Sequence, residues 1–373
     1  MPPVKYHMGK FPPATLNYEL LLPLISKASG ALGRYEGLLT AITNPSILLS
    51  PLTTQEAVLS SKMEGTNITM GEVLEIEAGI EKEGITQPKL DDAEEIINYR
   101  KALRACADVV SERPLTRTTI RQAHSVLMQG VRGKDKSPGK YRNDQNWIGK
   151  KGCNITDANF IPIAPEHLPA GMNAWGEYLT SDSVIDPLVQ LAVAHVEFEA
   201  LHPFKDGNGR LGRMLVPLFL FNKKILSHPS FYISEYLEKN RDGYIEKLRA
   251  VSSHDEWTEW CAFFIEAIRS QAVENEKKAR AILNCYSLIK SQVSDITHSQ
   301  HAWRAVDFLF EYPIFLTPTF IAASGIPKPT ASRIVSLLQR HGIIQTLHQG
   351  RGRAPSVHCF ADLLNIAEGR KVF

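Results

Sequence analysis

The sequence predicts an all-α protein that carries one short β-hairpin flap and ends in a winged-helix-like domain, and three observations carry that prediction. Apolar residues recur at three- and four-residue spacing along most of the 373 residues, the signature of amphipathic helices. Capping and breaker residues punctuate those stretches at helix lengths. Ahead of residue 299, one segment alone, Gly130 to Pro165, trades that spacing for short apolar runs around a polar turn.

Composition narrows the class. With 43% hydrophobic and 22% charged residues the chain has the balance of an ordinary soluble globular protein, long enough for two or three domains. A formal net charge of +2 creates no global field for nucleic acid or an acidic membrane, so any such patch is local. The five cysteines (106, 153, 261, 285 and 359) are odd in number, scattered and without metal-ligand spacing, so a reducing cytoplasm is expected. The N-terminus lacks a secretory apolar core, and the longest apolar run, 214–221, is far below the ~20 residues of a membrane span.

Residues 16–43 read as the first helix, with Leu16, Leu20 and Leu24 on one side, before an irregular connection through Pro45 and Pro51. Thr53 followed by Glu56 reads as a capping box opening a helix that runs to Glu64 and stops at Gly65. Ser60 and Glu64, four apart, share a face of it. A carboxylate in a last turn opposes the helix dipole by ~0.3–1 kcal/mol, so Glu64 is either fully solvated or meets a cation from elsewhere in the fold. Thr69 and Glu72 form a second capping box. Ile96, Tyr99, Leu103, Cys106 and Val110 repeat at helical spacing, and Ile120, Ala123 and Leu127 mark the next helix. His124 within it reads as a packed histidine, because no second ligand-type residue lies one turn away.

Trp147-Ile148 and Phe160-Ile161 flank a turn holding Lys150, Lys151, Gly152, Asn154 and Asp157, and read as the hairpin. A helix over 166–179 (Leu168, Met172, Trp175, Tyr178) precedes Asp186-Pro187, a cap followed by proline at the first helical position. Leu188, Leu191, His195 and Phe198 then line one face of the helix that delivers His202. His195 reads as a core histidine and Phe204 as a packing anchor.

The stretch His202-Pro203-Phe204-Lys205-Asp206-Gly207-Asn208-Gly209-Arg210-Leu211-Gly212-Arg213 carries the chemistry. Gly207 and Gly209 let the backbone turn through left-handed angles around Asn208, so that N–H groups point into one concavity that binds anions. The apolar run Met214 to Phe221 places this nest at a helix N-terminus, where unpaired N–H groups and the dipole add positive potential. Arg210 and Arg213 share a face of the first turn, where two cations make sense against a multiply charged anion. Asp206 is the nearby carboxylate for a divalent cation, and His202 the group whose ordinary pKa suits a general base.

These twelve residues resemble the signature of the Fic family, H-x-F-x-D/E-G-N-G-R-x-x-R, at every position from His202 to Arg213. Ser60-Ser61-Lys62-Met63-Glu64-Gly65 resembles that family's inhibitory motif, S/T-x-x-x-E-G/N. The resemblance implies a Fic-type helical core over 96–272 and an N-terminal helical region over 1–95 carrying the inhibitory motif 60–65; beyond it the sequence reads as a helical linker over 273–298 and a winged-helix-like domain over 299–373. It implies a protein adenylyltransferase that moves AMP from ATP to a Ser, Thr or Tyr hydroxyl of a protein, itself included, and releases pyrophosphate. His202 would be the base and Asp206 the Mg²⁺ ligand. Gly207, Asn208, Gly209, Arg210 and Arg213 would bind the phosphates, Tyr244 would complete the nucleotide pocket, and Ser60, Glu64 and Gly65 would inhibit, with Glu64 against Arg213. In the family the flap holds the target as an added strand.

At the C-terminus, Trp303, Val306 and Leu309, then Phe320 to Ile326, then Thr330 to Arg340 give helix, turn and helix, followed by Ile343 to Thr346 and a basic loop with Arg351 and Arg353. This resembles a winged helix. Arg351, Arg353, Lys328 and Arg333 are the residues that would meet a DNA backbone, and so few cations bind weakly unless the protein forms a homodimer. Two other readings therefore stand beside transfer: a DNA-binding regulator whose Fic core senses nucleotide, and a Fic enzyme that removes AMP with the help of Glu64.

Overall fold

The computed structural model describes residues 2–80, 86–130, 134–150, 152–350 and 355–373. Strand β1 (Val4–Lys5) and helix α1 (Tyr18–Thr40) open the chain. A single turn, α2 (Pro45–Leu48), leads to α3 (Ser50–Lys62), α4 (Met70–Glu77), α5 (Gln87–Val110) and α6 (Arg117–Leu127). Strand β2 (Phe160–Ile161), α7 (Leu168–Thr180), α8 (Pro187–Leu201), α9 (Asn208–Asn222), α10 (Ser234–Lys239), α11 (Arg241–His254) and α12 (Trp257–Thr297) complete the larger part. Then follow α13 (Ala302–Glu311), β3 (Ile314–Leu316), α14 (Thr317–Ala323), α15 (Lys328–Arg340), β4 (Gln345–His348), β5 (Val357–Cys359) and α16 (Ala361–Glu368). The expected helical fold with few short strands is the one observed.

Helices α8 and α9 form the centre. Almost every residue of α8 is buried, as is most of α9, so both are wrapped on all sides by neighbours rather than presenting one apolar stripe. Asp186 caps α8 through the N–H groups of Leu188 and Val189, with Pro187 at the first position, as expected. The Thr69–Glu72 capping box also forms. Among the described residues no helix is long and apolar enough to cross a membrane.

Several local expectations are corrected. Helix α1 buries Leu21, Ile25, Ala28, Leu32, Tyr35 and Leu39, while Leu20 is 47% exposed; packing against α12 selects the stripe next to the one the leucines suggested. Helix α3 starts at Ser50-Pro51, so Thr53 and Glu56 lie inside it and form no capping box. The flap is a single antiparallel bridge, Ile148 to Phe160, and β2 pairs in parallel with β1 at the other edge. Lys151 lies outside the described residues. The boundaries expected at 95/96 and 272/273 both fall inside continuous helices, α5 and α12.

Strands β3, β5 and β4 form a small antiparallel sheet in the C-terminal part. Its helix α16 packs back on α3 and α12. Lys278 on α12 donates to Glu235 Oε2 of α10 (2.6 Å) and to the Ala367 carbonyl of α16 (3.2 Å), joining three helices. Arg333 donates to the Thr297 carbonyl at the end of α12 (2.9 Å), so its guanidinium is engaged within the protein rather than free for a phosphate. Lys328 is exposed, and Arg351 and Arg353 lie outside the described residues.

Candidate functional site

Helix α8 ends at His202, whose backbone is left-handed (φ 45°, ψ 59°), a conformation that costs a non-glycine residue energy and persists where the surroundings enforce it. Arg142, buried, supplies the enforcement. Its Nε donates to the His202 carbonyl (2.9 Å), and its other nitrogens donate to Leu201 (3.3 Å), Ile163 (2.5 Å) and Asp144 (2.9 Å) carbonyls. A cation is favoured at a helix C-terminus, where unpaired carbonyls collect. Burial pushes Arg142 down to about 10, which leaves it charged near neutrality.

The loop from His202 to Asn208 is tied at three points. The Asn208 side chain accepts the Phe204 N–H and donates to the Phe204 carbonyl, both at 2.9 Å, so it braces the loop and leaves anion contacts to the backbone. Phe204 is fully buried and stacks on His124 at 3.9 Å between centroids. His124 Nδ1 accepts the Gly139 N–H (2.8 Å), which puts its proton on Nε2, the donor to the Asp206 carbonyl (3.2 Å). Burial pushes His124 down to about 4, so it is neutral, a packed histidine as expected.

Gly207 has φ +76° and caps α9, whereas Gly209 lies within the helix, so only the first of the two glycines turns through left-handed angles. Gly209 is required for another reason. A side chain there would run into the Glu64 carboxylate and the Arg213 guanidinium. The N-terminus of α9, with its unpaired N–H groups, is therefore a nest formed by one left-handed residue and a close approach.

The two arginines are held by different helices. Arg210 donates to Glu95 Oε2 of α5 (2.9 Å) and Asp206 Oδ1 (3.3 Å). Arg213, 2% exposed, donates from Nε to Ser60 Oγ (2.9 Å) and from one terminal nitrogen to the Ser60 carbonyl and Glu64 Oε1 (2.7 Å each). Partial desolvation works against the charge of Glu64, whose side chain is 41% exposed, but the Arg213 guanidinium outweighs it and holds the carboxyl below its usual value. Gly65, at φ +100°, turns the chain away just after the latch.

His202, Glu64, Gly209, Arg213, Glu199 and Tyr244 open onto one cavity of about 420 Å³, roofed by Ile148, Gly149 and Lys150 of the flap. Burial pushes the His202 imidazole down to about 4, against the pull of Glu64. Its Nδ1 lies 3.4 Å from the Glu199 carbonyl, which as acceptor leaves the lone pair on Nε2. Burial likewise raises the Glu199 carboxyl to about 7, with Arg213 opposing and Glu64 reinforcing the shift. Tyr244 is buried, and its hydroxyl is 2.8 Å from His195 Nε2; His195 Nδ1 is 3.0 Å from the Gly212 carbonyl. That hydroxyl is engaged in the core and Tyr244 offers the cavity its ring. His195, pushed down to about 3 by burial, is a core histidine.

Asp206 has a 47% exposed side chain beside the nest, with Oδ1 accepting the Gly207 N–H (2.6 Å). Among the described residues no group of three or more His, Cys, Asp or Glu is arranged for a metal. A single exposed carboxylate next to a phosphate nest fits Mg²⁺, which takes one or two carboxylates and completes its shell with substrate phosphates and water. Thus Ser60 and Glu64 meet the 202–213 motif in space, 149 residues separating Glu64 from Arg213, whereas Gly65 makes no hydrogen bond to it. Glu95, Arg142 and Glu199 were missed; Glu199 alone carried a signal, one turn before His202 on the same helix.

Comparison with known proteins matches the chain to one family. Residues 22–108 match the Fic/DOC family N-terminal model and residues 114–220 the Fic/DOC family model. A probable protein adenylyltransferase from Aquifex aeolicus is 29% identical over 212 residues, covering 54% of this chain and 55% of that protein. Protein adenylyltransferase fic-1 from Caenorhabditis briggsae is 34% identical over 84 residues, 22% of this chain and 15% of that protein. The chain spans about half, or less, of the length of these curated relatives. Among solved structures, a Fic family protein from Desulfovibrio desulfuricans aligns with a TM-score of 0.60 at 19% identity, covering 93% of this chain and 98% of that one. A Fic domain containing signaling protein from Bacteroides thetaiotaomicron aligns at 0.54 and 21% identity, covering 69% and 96%. At these identities the structures speak for the fold.

Proposed function

The chain belongs to the Fic/DOC family, and from that premise we propose that it is a protein adenylyltransferase, transferring AMP from ATP to a Ser, Thr or Tyr hydroxyl and restrained by Glu64. The observation that carries the reading is that a neutral imidazole, the N-terminus of α9 and Arg213 all open onto one cavity. The names of the Aquifex and Caenorhabditis relatives support the chemistry.

In this reaction the target hydroxyl oxygen attacks the α-phosphorus of ATP, the bond from that phosphorus to the bridging oxygen breaks, and pyrophosphate departs with the electron pair. His202 Nε2 takes the hydroxyl proton. Because burial keeps the ring neutral, the base is available without prior deprotonation at pH 7. The N–H groups at the start of α9 hold phosphate oxygens, and Arg210, fixed by Glu95, offsets charge on the leaving pyrophosphate. Asp206 would hold Mg²⁺, which supplies neutralisation of phosphate charge when bound. Glu64 occupies Arg213 and sets a negative charge where the γ-phosphate would sit, so productive ATP binding requires its withdrawal.

Self-modification in a reducing cytoplasm is part of the same proposal. Residues 299–373 are read as a winged-helix-like domain, whose small sheet and helices α14 and α15 support that reading. The test is incubation with Mg²⁺ and ATP labelled at either the α or the γ position. Label retained on protein from α-labelled ATP, and lost in His202→Ala of unchanged circular dichroism, is the expected result. Retention from the γ label alone would replace nucleotide transfer with phosphorylation.

A further inference from the structure

A second cavity lies at the far pole of the helices that build the first. It measures about 440 Å³, against about 420 Å³ for the one above His202, and no residue lines both. Small organic ligands occupy cavities of roughly 300–1,000 Å³. Three helices reach both places. Helix α3 lines the second cavity with Ser50 and Thr53 and carries Glu64 just past its other end. Helix α9 begins at the nest with Asn208 and reaches the second cavity with Phe221. Helix α5 holds Arg210 through Glu95 and lines the second cavity from Ile97 onward.

Its lining has a definite chemistry. Ile97, Leu103, Ala107, Phe221 and Pro229 make part of it apolar, and Ser46, Ser50 and Thr53 add hydroxyls from α2 and the first turn of α3. Helix α3 starts without a side-chain cap, so the positive end of its dipole adds to that side. His228 spends both ring nitrogens, on Ser46 Oγ (3.1 Å) and Ser230 Oγ (2.5 Å), and burial lowers its pKa, so it adds no charge near neutrality. Arg100 donates to Glu77 Oε2 (2.6 Å), which closes that pair. Lys101 and Arg104, exposed and three apart on one face of α5, form no ion pair or side-chain hydrogen bond among the described residues. Asp108, one turn further, meets no cation among the described residues and is left to accept a hydroxyl or amino group. Two unpaired cations beside hydroxyls and carbon complement an organic phosphate, whose charged end takes donors while its body covers the apolar lining.

The closed latch and the open second cavity belong to one conformation. Glu64 holds Arg213 while Ser50 and Thr53 line the cavity. Between them α3 is one unbroken helix of 13 residues, Ser50–Lys62, and packed helices shift as units. Withdrawing Glu64 by a shift of α3 therefore displaces Ser50 and Thr53 as well. A ligand fitted to the cavity as it stands binds the latched state more tightly, and by linkage it strengthens the latch.

We propose that the second cavity is a regulatory site for a small aromatic phosphate monoester, held by Lys101 and Arg104, whose binding keeps Glu64 on Arg213. The site stands apart from the transfer reading; its effect on labelling rests on it. Phenyl phosphate, inorganic phosphate and phenol are titrated by ligand-observed NMR against the full-length protein without ATP. Phenyl phosphate should bind more tightly than the other two, and Lys101→Gln/Arg104→Gln, which changes two exposed side chains, should weaken it by roughly tenfold or more. Equal affinity in wild type and that variant overturns the site. With Mg²⁺ and α-labelled ATP, saturating phenyl phosphate should slow self-labelling of wild type about threefold or more and leave Glu64→Gly unchanged, since no latch remains to strengthen. Slowing of Glu64→Gly to the same extent would place phenyl phosphate in the ATP site and overturn the proposal, as would binding with no effect on wild type. Binding that depends on Lys101 and Arg104, with no label taken from α-labelled ATP even by Glu64→Gly, would support the site and sink the transfer reading instead.

Discussion

Glu56 lies in the middle of α3 and Glu64 eight residues on, just past the end of that helix, and their environments are opposite. Glu56, 1% exposed, accepts the first N–H of α10 at Ser234 (2.9 Å) and the Ser234 hydroxyl (2.6 Å). Burial raises its carboxyl to about 7, and the bonds from Ser234 and the field of Arg213 only partly oppose the shift. Glu64 is 41% exposed on its side chain, lies past the last turn of α3, and is held below its usual pKa by Arg213. The same residue type serves as a fixed anchor at one position and a removable latch at the other. What separates them is access to water and the nature of the partner: a buried dipole at a helix N-terminus in one case, a guanidinium facing an open cavity in the other.

The contrast breaks most visibly under truncation. Glu56→Ala leaves the Ser234 N–H and hydroxyl buried without an acceptor and opens a hole between α3 and α10, so a loss of about 2–4 kcal/mol in urea unfolding is expected. Glu64→Ala is expected to cost about 1 kcal/mol or less, since Arg213 keeps both Ser60 acceptors and the cavity admits water. Equal losses would erase the distinction.

Titration sharpens it. A carboxyl whose folded pKa of about 7 lies above the unfolded value near 4.5 binds its proton more tightly in the folded state. Its contribution is complete below about pH 4.5 and is lost as pH rises through 7. Glu56→Gln, which keeps an uncharged acceptor, should therefore gain on wild type by roughly 2–3 kcal/mol between pH 5 and pH 8.5. A constant difference in melting temperature across that range would show that Glu56 is ionised throughout. The smallest effect expected is on Ser60→Ala, which removes the Nε acceptor but leaves the carbonyl; self-labelling should rise by less than about tenfold, through a loosened Arg213.

The catalytic loop was legible because its signal is local: a base, a carboxylate, a nest and two arginines fall within twelve residues, and the cap Asp186-Pro187 announces the helix that delivers them. The helix-end position of Glu64 pointed to a cation from elsewhere in the fold, and the family's inhibitory pattern singled out Arg213 as that partner. Glu56 was misread for a physical reason: a Thr-x-x-Glu spacing satisfies a capping rule three residues long, while Ser50-Pro51 starts the helix a turn earlier and Ser234, 178 residues away, claims the carboxylate. Glu95 likewise gave no local sign, its partner Arg210 lying 115 residues on. Nor did β1, because two residues carry no periodicity and the chain just after it is anchored on Glu197 and Ser252 in distant helices. On α1 the leucine spacing was real, but which stripe faces inward is decided by α12.

The account rests on Glu64 being a restraint on ATP rather than a surface acid, and self-labelling of Glu64→Gly against wild type with α-labelled ATP and Mg²⁺ tests that most directly. A carboxylate that costs productive ATP binding ~2–3 kcal/mol predicts a rise of roughly thirty- to a hundred-and-sixtyfold, returning to a low level in Glu64→Gly/Arg213→Ala because the freed γ-phosphate partner is then gone. Labelling of Glu64→Gly equal to wild type would contradict it, and would leave the Glu64–Arg213 pair as a structural contact alone.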